Sequence, residues 1–328
     1  MKHDTLISAP PVIRDFLTYS ETIKGKSSIS VDEYYLDLKT FFRYILLIRG
    51  KTDGQTDFKK ISIDSVDAEL ISTITVSDLY SFIVFCKNER GNSAATRARK
   101  TSTLRIFFKY LTSQIHLLET NPAELLDSPK VKQALPKYLT LEDSIELLSA
   151  VDGPYKERDY CIFVFFLNCG MRLSELCGIN LSDIASDGTL RLLGKGNKER
   201  VIYLNEACKD ALQSYLKVRP NEGLDINDKN ALFISRNHRR ISNKTVQHIT
   251  KKYLEKAGLS GKGLSTHKLR HTAATLMYRH GNVDIRVLKD ILGHSNLGTT
   301  QIYTHISDKQ VKDAIEANPL SNIKANKQ

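Results

Sequence analysis

The chain has 328 residues, 41% of them hydrophobic, which is enough apolar material for two domain cores. No apolar run approaches the ~18 residues of a membrane helix, and residues 1–10 lack the features of a secretory signal. The five cysteines have no metal-ligand spacing and predict free thiols, as expected for a cytoplasmic protein without membrane contact.

The net charge of +11 is concentrated in one part of the chain. Between Asp187 and His305 there are 21 Lys and Arg residues against 10 Asp and Glu, whereas the remainder has 27 of each. A concentrated basic segment is typical of proteins that bind a polyanion such as nucleic acid. On charge alone, an ordinary basic domain is an equal alternative.

Four amphipathic helices are predicted before residue 115, at 11–20, 30–48, 78–86 and 93–111, with Ser77 as the N-cap of the third. The fourth helix has a basic side. It is either a solvated face or a set of DNA contacts, and its candidate residues are Arg97, Arg99, Lys100 and Arg105.

Two segments of the chain lack helical periodicity. Residues 50–75 turn polar and are interpreted as a loop or an insertion without catalytic residues. Residues 116–138 contain three X-Pro steps and predict an extended linker, which leaves a first domain at 1–115. A capping box at Thr140 then predicts the first helix of a second domain.

The second domain is predicted to contain a buried helix at 155–168 and two strands at 189–193 and 200–204, joined by a glycine-rich turn. Further helices are predicted at 205–218, 243–257, 266–280, 284–292 and 299–305. The fold class is therefore mainly α with a small antiparallel β-sheet, arranged in two domains of which the second is α+β.

Five short clusters in the second domain contain residues that could carry chemistry: Gly-Met-Arg-Leu-Ser-Glu-Leu (170–176), Gly-Lys-Gly-Asn-Lys-Glu-Arg (194–200), His-Lys-Leu-Arg-His (267–271), Leu-Gly-His-Ser (292–295) and Thr-Gln-Ile-Tyr-Thr-His (300–305). Each cluster alone has an ordinary explanation, such as a surface arginine, a charged hairpin tip or a buried tyrosine. Together they contribute six reactive or cationic side chains: Arg172, Lys195, His267, Arg270, His294 and Tyr303.

This set of side chains suits a phosphodiester as the reaction centre. Its transition state gathers negative charge on the nonbridging oxygens, which guanidinium and imidazole donors stabilise. A tyrosine hydroxyl can attack phosphorus to form a covalent ester, and a lysine can protonate the leaving oxygen. The clusters contain no carboxylate pair and no metal-ligand group, so we expect no cofactor and no metal.

The five clusters, in this order and at these separations, resemble the signature of the tyrosine recombinase (phage integrase) family, most closely its Xer-like bacterial members. The resemblance covers nearly the whole chain. It implies a helical, SAM-like core-binding domain at 1–115, a linker at 116–138 and a catalytic domain at 139–306, which form a clamp on DNA. Because the segment 50–75 makes the first domain longer than a compact Xer-like domain, it leaves the biological role open.

The resemblance also implies a role for each residue of the set. Arg172 and Arg270 would clamp the scissile phosphate, and His294 would hydrogen-bond it. His267 would accept the proton of Tyr303, the nucleophile that forms a 3′-phosphotyrosyl link. Lys195 would be the general acid, with Lys198 as the rival for that role, and Glu175 would orient Arg172.

The implied partner is double-stranded DNA, bound by a homo- or hetero-tetramer on synapsed sites, with a second recombinase or an accessory protein as further partners. The tail 307–328 would contact a neighbouring subunit. Resolution of chromosome or plasmid dimers is the expected role. The alternatives are an integrase or transposase of a phage or conjugative element, a topoisomerase-like enzyme, and a catalytically silent DNA-binding protein. Further candidate DNA contacts are Lys198, Arg239 and Arg240.

Overall fold

The computed structural model describes residues 9–52, 56–131, 137–194, 199–281 and 283–293. The chain divides into two units, Met1–Gln133 and Ala134–Gln328. The described part is mainly helical and contains a two-stranded antiparallel sheet, which confirms the predicted fold class. None of the helices in these ranges is long and apolar enough to cross a membrane.

The described part of the first unit contains α1 (Pro11–Thr22), α2 (Ser28–Ile48), α3 (Ala68–Ser72), α4 (Val76–Asn88) and α5 (Ala94–Ser113). Helices α1, α2, α4 and α5 are the four that the sequence predicts. Their apolar faces share one core, where Phe41 packs edge-to-face against Phe82 and Phe108. This geometry places a positive ring edge against a negative ring face.

The N-cap of α4 is Thr75 rather than Ser77, so that prediction is wrong. The Thr75 hydroxyl accepts a hydrogen bond from the Asp78 amide (3.3 Å), and the Asp78 carboxylate accepts one from the Thr75 amide (2.9 Å). This reciprocal box satisfies two amides that have no partner within the helix. Ser77 has Tyr80 three positions later and cannot form such a box.

The segment 50–75 is not simply an inserted loop. Its described part contains α3, and six of its apolar side chains are buried in the core of the first unit: Ile61, Ile63, Val66, Leu70, Ile71 and Ile74. Their spacing follows neither a helical nor a strand period over any length, so periodicity alone does not reveal that they are buried.

The first half of the predicted linker also packs against the first unit. Ala123 and Leu126 are buried in its core, and the Asn121 side chain accepts a hydrogen bond from the Ala123 amide (2.9 Å). Pro122 therefore belongs to a packed Asx turn rather than to an extended tether.

The basic side of α5 is partly used inside the first unit. The buried Lys100 ammonium donates to Oδ1 of Asp37 on α2 (2.8 Å), and Arg99 donates to Oδ2 of the same carboxylate (2.6 Å). Thr103 also donates to Asp37, and Arg99 pairs with Glu33 (2.8 Å). We call these five residues the Asp37 cluster. Lys100 is thus buried as the cationic partner of this carboxylate, and its contact with DNA stays a prediction.

The other two candidates on α5 differ from each other. The Arg105 guanidinium donates to the carbonyl of Leu126 and so fixes the turn that packs on the core. Arg97 is half-buried near the start of the helix. Their contacts with DNA stay predictions.

The described part of the second unit contains α6 (Leu141–Ser149), α7 (Lys156–Cys169), α8 (Leu173–Gly178), β1 (Thr189–Leu193), β2 (Glu199–Tyr203), α9 (Glu206–Val218), α10 (Asn243–Lys256), α11 (Thr266–His280) and α12 (Ile285–Leu292). Helix α7 is buried on most faces and packs against α9 and α11. The predicted capping box at Thr140 is confirmed, since its hydroxyl accepts a hydrogen bond from the Asp143 amide (3.1 Å).

The two strands pair with Leu192 opposite Arg200 and Leu190 opposite Ile202. Directly opposed residues share a face of the sheet, so these four side chains form its inner face. Leu190, Leu192 and Ile202 are buried. Arg200 is therefore an arginine on the inner face of a hairpin, and its partners are part of the site.

Candidate active site

Arg172 and Glu175 meet at the start of α8. Gly170 ends α7, and Arg172 then occupies the N-cap position of α8. The Glu175 carboxylate accepts hydrogen bonds from the Arg172 amide and from its guanidinium, both at 2.7 Å. A carboxylate in the third helical position that bonds back to the N-cap amide fixes the entry to the helix. The box 170–176 thus folds into a turn that holds Arg172.

Arg270 reaches the same carboxylate from α11. Its guanidinium donates to the carbonyls of Gly170 (2.8 Å) and Leu292 (2.5 Å), and Nη1 lies 3.9 Å from Oε2 of Glu175. The Arg270 side chain is 3% exposed, compared with 32% for Arg172. Arg270 therefore has a fixed, buried guanidinium, whereas part of Arg172 reaches the surface.

A third arginine, Arg200, belongs to this site, although it is not among the residues predicted from the sequence. Its Nη1 and Nη2 donate to the two oxygens of Glu175, both at 2.7 Å, and its Nε donates to the carbonyl of Ile291 (3.0 Å). The available signal is strand alternation, which places Arg200 on the same face as the buried Ile202. An arginine on an inward face needs an acidic partner.

We call Glu175, Arg172, Arg200 and Arg270 the Glu175 cluster. Its arginines also cap the end of α12. Three carbonyls there each accept a hydrogen bond from a different arginine: Ile291 from Arg200, Leu292 from Arg270 and Gly293 from Arg172. Carbonyls at a helix C-terminus lack intrahelical partners and carry partial negative charge, so cations stabilise them. The cluster therefore fixes the backbone immediately before residue 294.

Two glycines allow this close packing. Gly293 has a φ of 63°, and a Cβ there would lie 3.0 Å from Nη1 of Arg200. Gly170 has a φ of 57°, and a Cβ there would lie 2.8 Å from the side chain of Leu292. Glycine adopts positive φ at little cost and leaves room for the neighbouring group. Gly170 and Gly293 therefore allow the end of α12 to pack closely against the site.

The electrostatics of the Glu175 cluster favour an anion. Burial alone raises the pKa of the Glu175 carboxyl, but the hydrogen bonds and charges of Arg200 and Arg172 outweigh it and lower the pKa to about 2. The carboxylate is therefore ionised at neutral pH. Three guanidinium groups against one carboxylate leave these four groups with a charge of +2. Such an excess next to a partly exposed arginine suits a phosphate oxygen.

His267 lies one turn before Arg270 on α11, and its ring packs edge-to-face against His271 (centroids 4.8 Å apart). Partial burial and then the charge of Arg270 lower the pKa of His267. Burial and the neighbouring His267 lower the pKa of His271 to about 4. Both rings are therefore neutral at pH 7, and a neutral imidazole can accept a proton.

Four residues of the predicted site lie outside the described residues: Lys195, Lys198, His294 and Tyr303. The predicted helix 299–305 and the tail 307–328 also lie outside them. Within the described ranges, no group of three or more His, Cys, Asp or Glu residues is arranged to hold a metal ion. All five cysteines are buried free thiols, as predicted.

The two remaining DNA-contact candidates have different surroundings. Arg240 donates to the carbonyls of Cys177 and Ile179 and to the Asn180 side chain (2.6 Å), so it links α8 to the loop before α10. Its contact with DNA stays a prediction. Arg239 is exposed at a cavity of about 690 Å³. The other basic residues that line this cavity are Arg158, Arg236, Arg240, Lys244, His248 and Lys252.

An arginine cluster with a positive excess beside a neutral histidine is typical of proteins that act on phosphodiesters, and comparisons with known proteins identify which kind. The family model described as the phage integrase family matches residues 137–310, and that of the phage integrase N-terminal SAM-like domain matches residues 56–114. The chain therefore belongs to the phage integrase family.

Individual relatives narrow this assignment. The chain is 52% identical to the tyrosine recombinase XerC of Caldanaerobacter subterraneus subsp. tengcongensis, covering 95% of this chain and 88% of that protein. It is 34% identical to XerD of Proteus mirabilis, covering 92% and 90%. The solved structure of XerH bound to its difH substrate shares the fold, with a TM-score of 0.67, 20% identity and coverage of 93% and 84%. The protein is a Xer-like site-specific tyrosine recombinase, a DNA breaking-rejoining enzyme, which confirms the resemblance seen in the sequence.

Proposed function

We propose that the Glu175 cluster binds the scissile phosphate of a DNA strand, with Arg172 and Arg270 as the clamp. The charge of +2 on its four groups is the observation that carries this proposal. Toward the described residues, the Arg172 side chain uses two of its five N–H donors, so others are available to phosphate oxygens. Donors fixed before the reaction stabilise the charge that develops in the transition state.

The remaining residues of the set supply the nucleophile and the proton transfers. Tyr303 attacks phosphorus and forms a 3′-phosphotyrosyl ester while the 5′-hydroxyl leaves. Neutral His267 accepts the tyrosine proton, and Lys195 protonates the leaving oxygen, with Lys198 as the alternative acid. His294 hydrogen-bonds the phosphate. The ester conserves the energy of the broken bond, so the reaction requires no cofactor.

The basic cavity beside Arg239 contacts the DNA backbone outside the cleavage point. Three more of its basic residues, Arg236, Lys244 and Lys252, come from the loop before α10 and from α10 itself. Cations spaced along a surface bind phosphates without reading sequence, and their contribution falls with salt. These contacts therefore add affinity for the duplex, while the Glu175 cluster acts on one phosphate.

The second unit would also mediate assembly of the recombinase on DNA. Four copies act on two synapsed sites as a homo- or hetero-tetramer, and the tail 307–328 of one copy contacts the next. A cavity of about 550 Å³ between α10 and the start of α11 supports this arrangement, because it is lined by Leu254, Leu259, Leu264 and His267. The tail contains several apolar residues, among them Val311, Ile315 and Leu320, and the four-residue spacing of Val311 and Ile315 suits one face of a helix. Truncation after Ser307 should leave half-site binding intact and reduce cooperative assembly in gel-shift titrations.

Similarity to XerC and XerD proteins supports a role in resolving chromosome or plasmid dimers in the cytoplasm, with a second recombinase or an accessory protein as partner. Deletion of the gene should then produce cells with undivided, linked chromosomes. Normal division, together with loss of excision of a neighbouring mobile element, would instead indicate an integrase of that element.

The chemistry is tested with a nicked suicide substrate, which traps the covalent intermediate. The parent chain should form an adduct that survives denaturant, and Tyr303→Phe should bind the site equally well and form none. Tyr278→Phe, a change to another tyrosine of the same unit, is the matched control and should form the adduct normally. An adduct in the Tyr303→Phe variant that disappears in Tyr278→Phe would move the nucleophile to Tyr278.

A further inference from the structure

Arg200 is not among the six side chains that act on the phosphate, yet it joins three parts of the site. It extends from β2, two positions after Lys198 in the sequence. Its two terminal nitrogens donate hydrogen bonds to both oxygens of Glu175, and its Nε donates to the carbonyl of Ile291 at the end of α12. Its side chain is only 12% exposed, so it is poorly placed to contact DNA itself.

The contacts of Glu175 divide unequally between its arginines. Arg200 forms a two-pronged pair with the carboxylate, whereas the Arg172 side chain donates one hydrogen bond, from Nη1 to Oε1. The second terminal nitrogen of Arg172 donates to Gly293 instead. A two-pronged arginine–carboxylate pair is the stronger arrangement, so an arginine beside an unoccupied carboxylate tends to adopt it.

We propose that Arg200 is a positioning residue for Arg172. By occupying both oxygens of Glu175, it prevents Arg172 from forming its own two-pronged pair and keeps the rest of that guanidinium available to the scissile phosphate. The proposal rests on the proposed role of Arg172 as a phosphate ligand. Without Arg200, Arg172 rotates onto the carboxylate and loses its alignment with the phosphate. Misplacement by about 1 Å can reduce a rate about 100-fold.

The test compares single-turnover cleavage at saturating DNA with half-site binding. Arg200→Ala should slow cleavage by about 30- to 100-fold while the Kd changes less than about threefold. Arg200→Lys keeps the charge but cannot bridge both oxygens, so its cleavage should fall by about tenfold. This variant carries the test if Arg200→Ala does not fold. Arg191→Lys, on the neighbouring strand and with an exposed side chain, is the matched control and should cleave normally.

A second experiment removes the Glu175 carboxylate as well, to distinguish the positioning role of Arg200 from a merely structural one. If Arg200 acts by restraining Arg172 at Glu175, the double variant Glu175→Gln/Arg200→Ala should cleave about as fast as Glu175→Gln alone. The two losses should not multiply, because both changes act through the same contact. Losses that multiply, or an Arg200→Lys variant that cleaves at the parental rate, would overturn the proposal.

The parent chain and Tyr303→Phe are measured as controls in each of these experiments. If the parent forms no adduct, the proposed chemistry fails. If the parent forms the adduct, Tyr303→Phe does not, and the Arg200 variants cleave like the parent, only the positioning role fails.

Discussion

Each unit of the protein contains a buried carboxylate held by cations, and the two arrangements differ in charge. In the Asp37 cluster, the carboxylates of Glu33 and Asp37 face Arg99 and Lys100, so the charges balance. In the Glu175 cluster, one carboxylate faces three guanidinium groups, and the balance is +2. The charges of the first cluster cancel, whereas the four groups of the second carry an excess of positive charge.

The comparison separates a structural from a functional use of the same chemistry. The Asp37 cluster joins α2 to α5 and neutralises Lys100 where solvent is excluded. In the Glu175 cluster, Arg172 is 32% exposed, so the surplus charge is accessible from solvent. A buried ion pair is weak evidence of function, but an unbalanced one next to a titratable histidine indicates a site.

The largest effect is expected from substitutions in the Glu175 cluster, the functional member of the comparison. Arg172→Ala or Arg270→Ala should slow single-turnover cleavage by about 100-fold or more, because the proposed role of each donor is to meet charge that grows in the transition state. Binding should change less, since other basic residues also contact phosphates. Lys100→Met should leave the cleavage rate of folded protein unchanged. Equal losses of binding and cleavage in Arg172→Ala would make that arginine a binding residue only.

The structural role of the Asp37 cluster is tested by measuring the free energy of unfolding. Asp37→Ala leaves Lys100 buried without its carboxylate and should lower the free energy of unfolding of the first unit by about 3 to 5 kcal/mol. Urea unfolding followed by circular dichroism measures the change. The double variant Asp37→Leu/Lys100→Met removes both charges and should recover most of the loss. A double variant no more stable than Asp37→Ala would show that packing, rather than the uncompensated charge, is responsible.

Acid should destabilise the Glu175 cluster in a defined window. Because the pKa of Glu175 is lowered from 4.5 to about 2, its ionised form stabilises the fold above pH 4.5, and this contribution is lost as the pH falls toward 2. The full difference corresponds to about 3 kcal/mol. The Tm of the parent should therefore fall more between pH 4.5 and pH 3 than the Tm of Glu175→Gln. Thermal unfolding followed by circular dichroism measures both. Parallel pH profiles for the two chains would contradict the assignment.

A smaller effect concerns His267. Its lowered pKa keeps the ring neutral at pH 7, so cleavage at saturating DNA should decline severalfold only as the pH drops below 6.5 and the ring is protonated. His267→Asn should be slower and should lack this acid limb. If its pH profile keeps the parental shape, another group accepts the tyrosine proton.

The smallest expected effect is that of a chelator. The Glu175 cluster offers arginines rather than converging oxygen ligands, and its charge repels a divalent cation. Adduct formation should therefore be the same with excess EDTA at matched ionic strength. Complete loss of the adduct in EDTA, restored by magnesium, would mean that the phosphate is activated in another way.

Much of the architecture follows from local sequence. Helical periodicity predicts α1, α2, α4 and α5, and the box at Thr140 predicts the start of α6, because these signals depend on residues within a few positions of each other. The family is likewise recognisable, and candidate catalytic residues can be proposed, because the clusters are short and ordered. Arg172, His267 and Arg270 stand out for this reason. The N-cap of α4 is an exception: the sequence predicts Ser77, but the reciprocal hydrogen bonds of Thr75 and Asp78 show that it is Thr75.

Only the tertiary structure decided how charges are paired between distant segments. Lys100 and Arg200 are both basic residues in basic stretches, and nothing local shows that one neutralises Asp37 and the other Glu175, which lie 63 and 25 positions away in the chain. The same holds for α12, whose last carbonyls are capped by arginines from three other elements. A sequence specifies each helix through neighbours in the chain, but a buried charge is satisfied by whichever partner the fold brings to it.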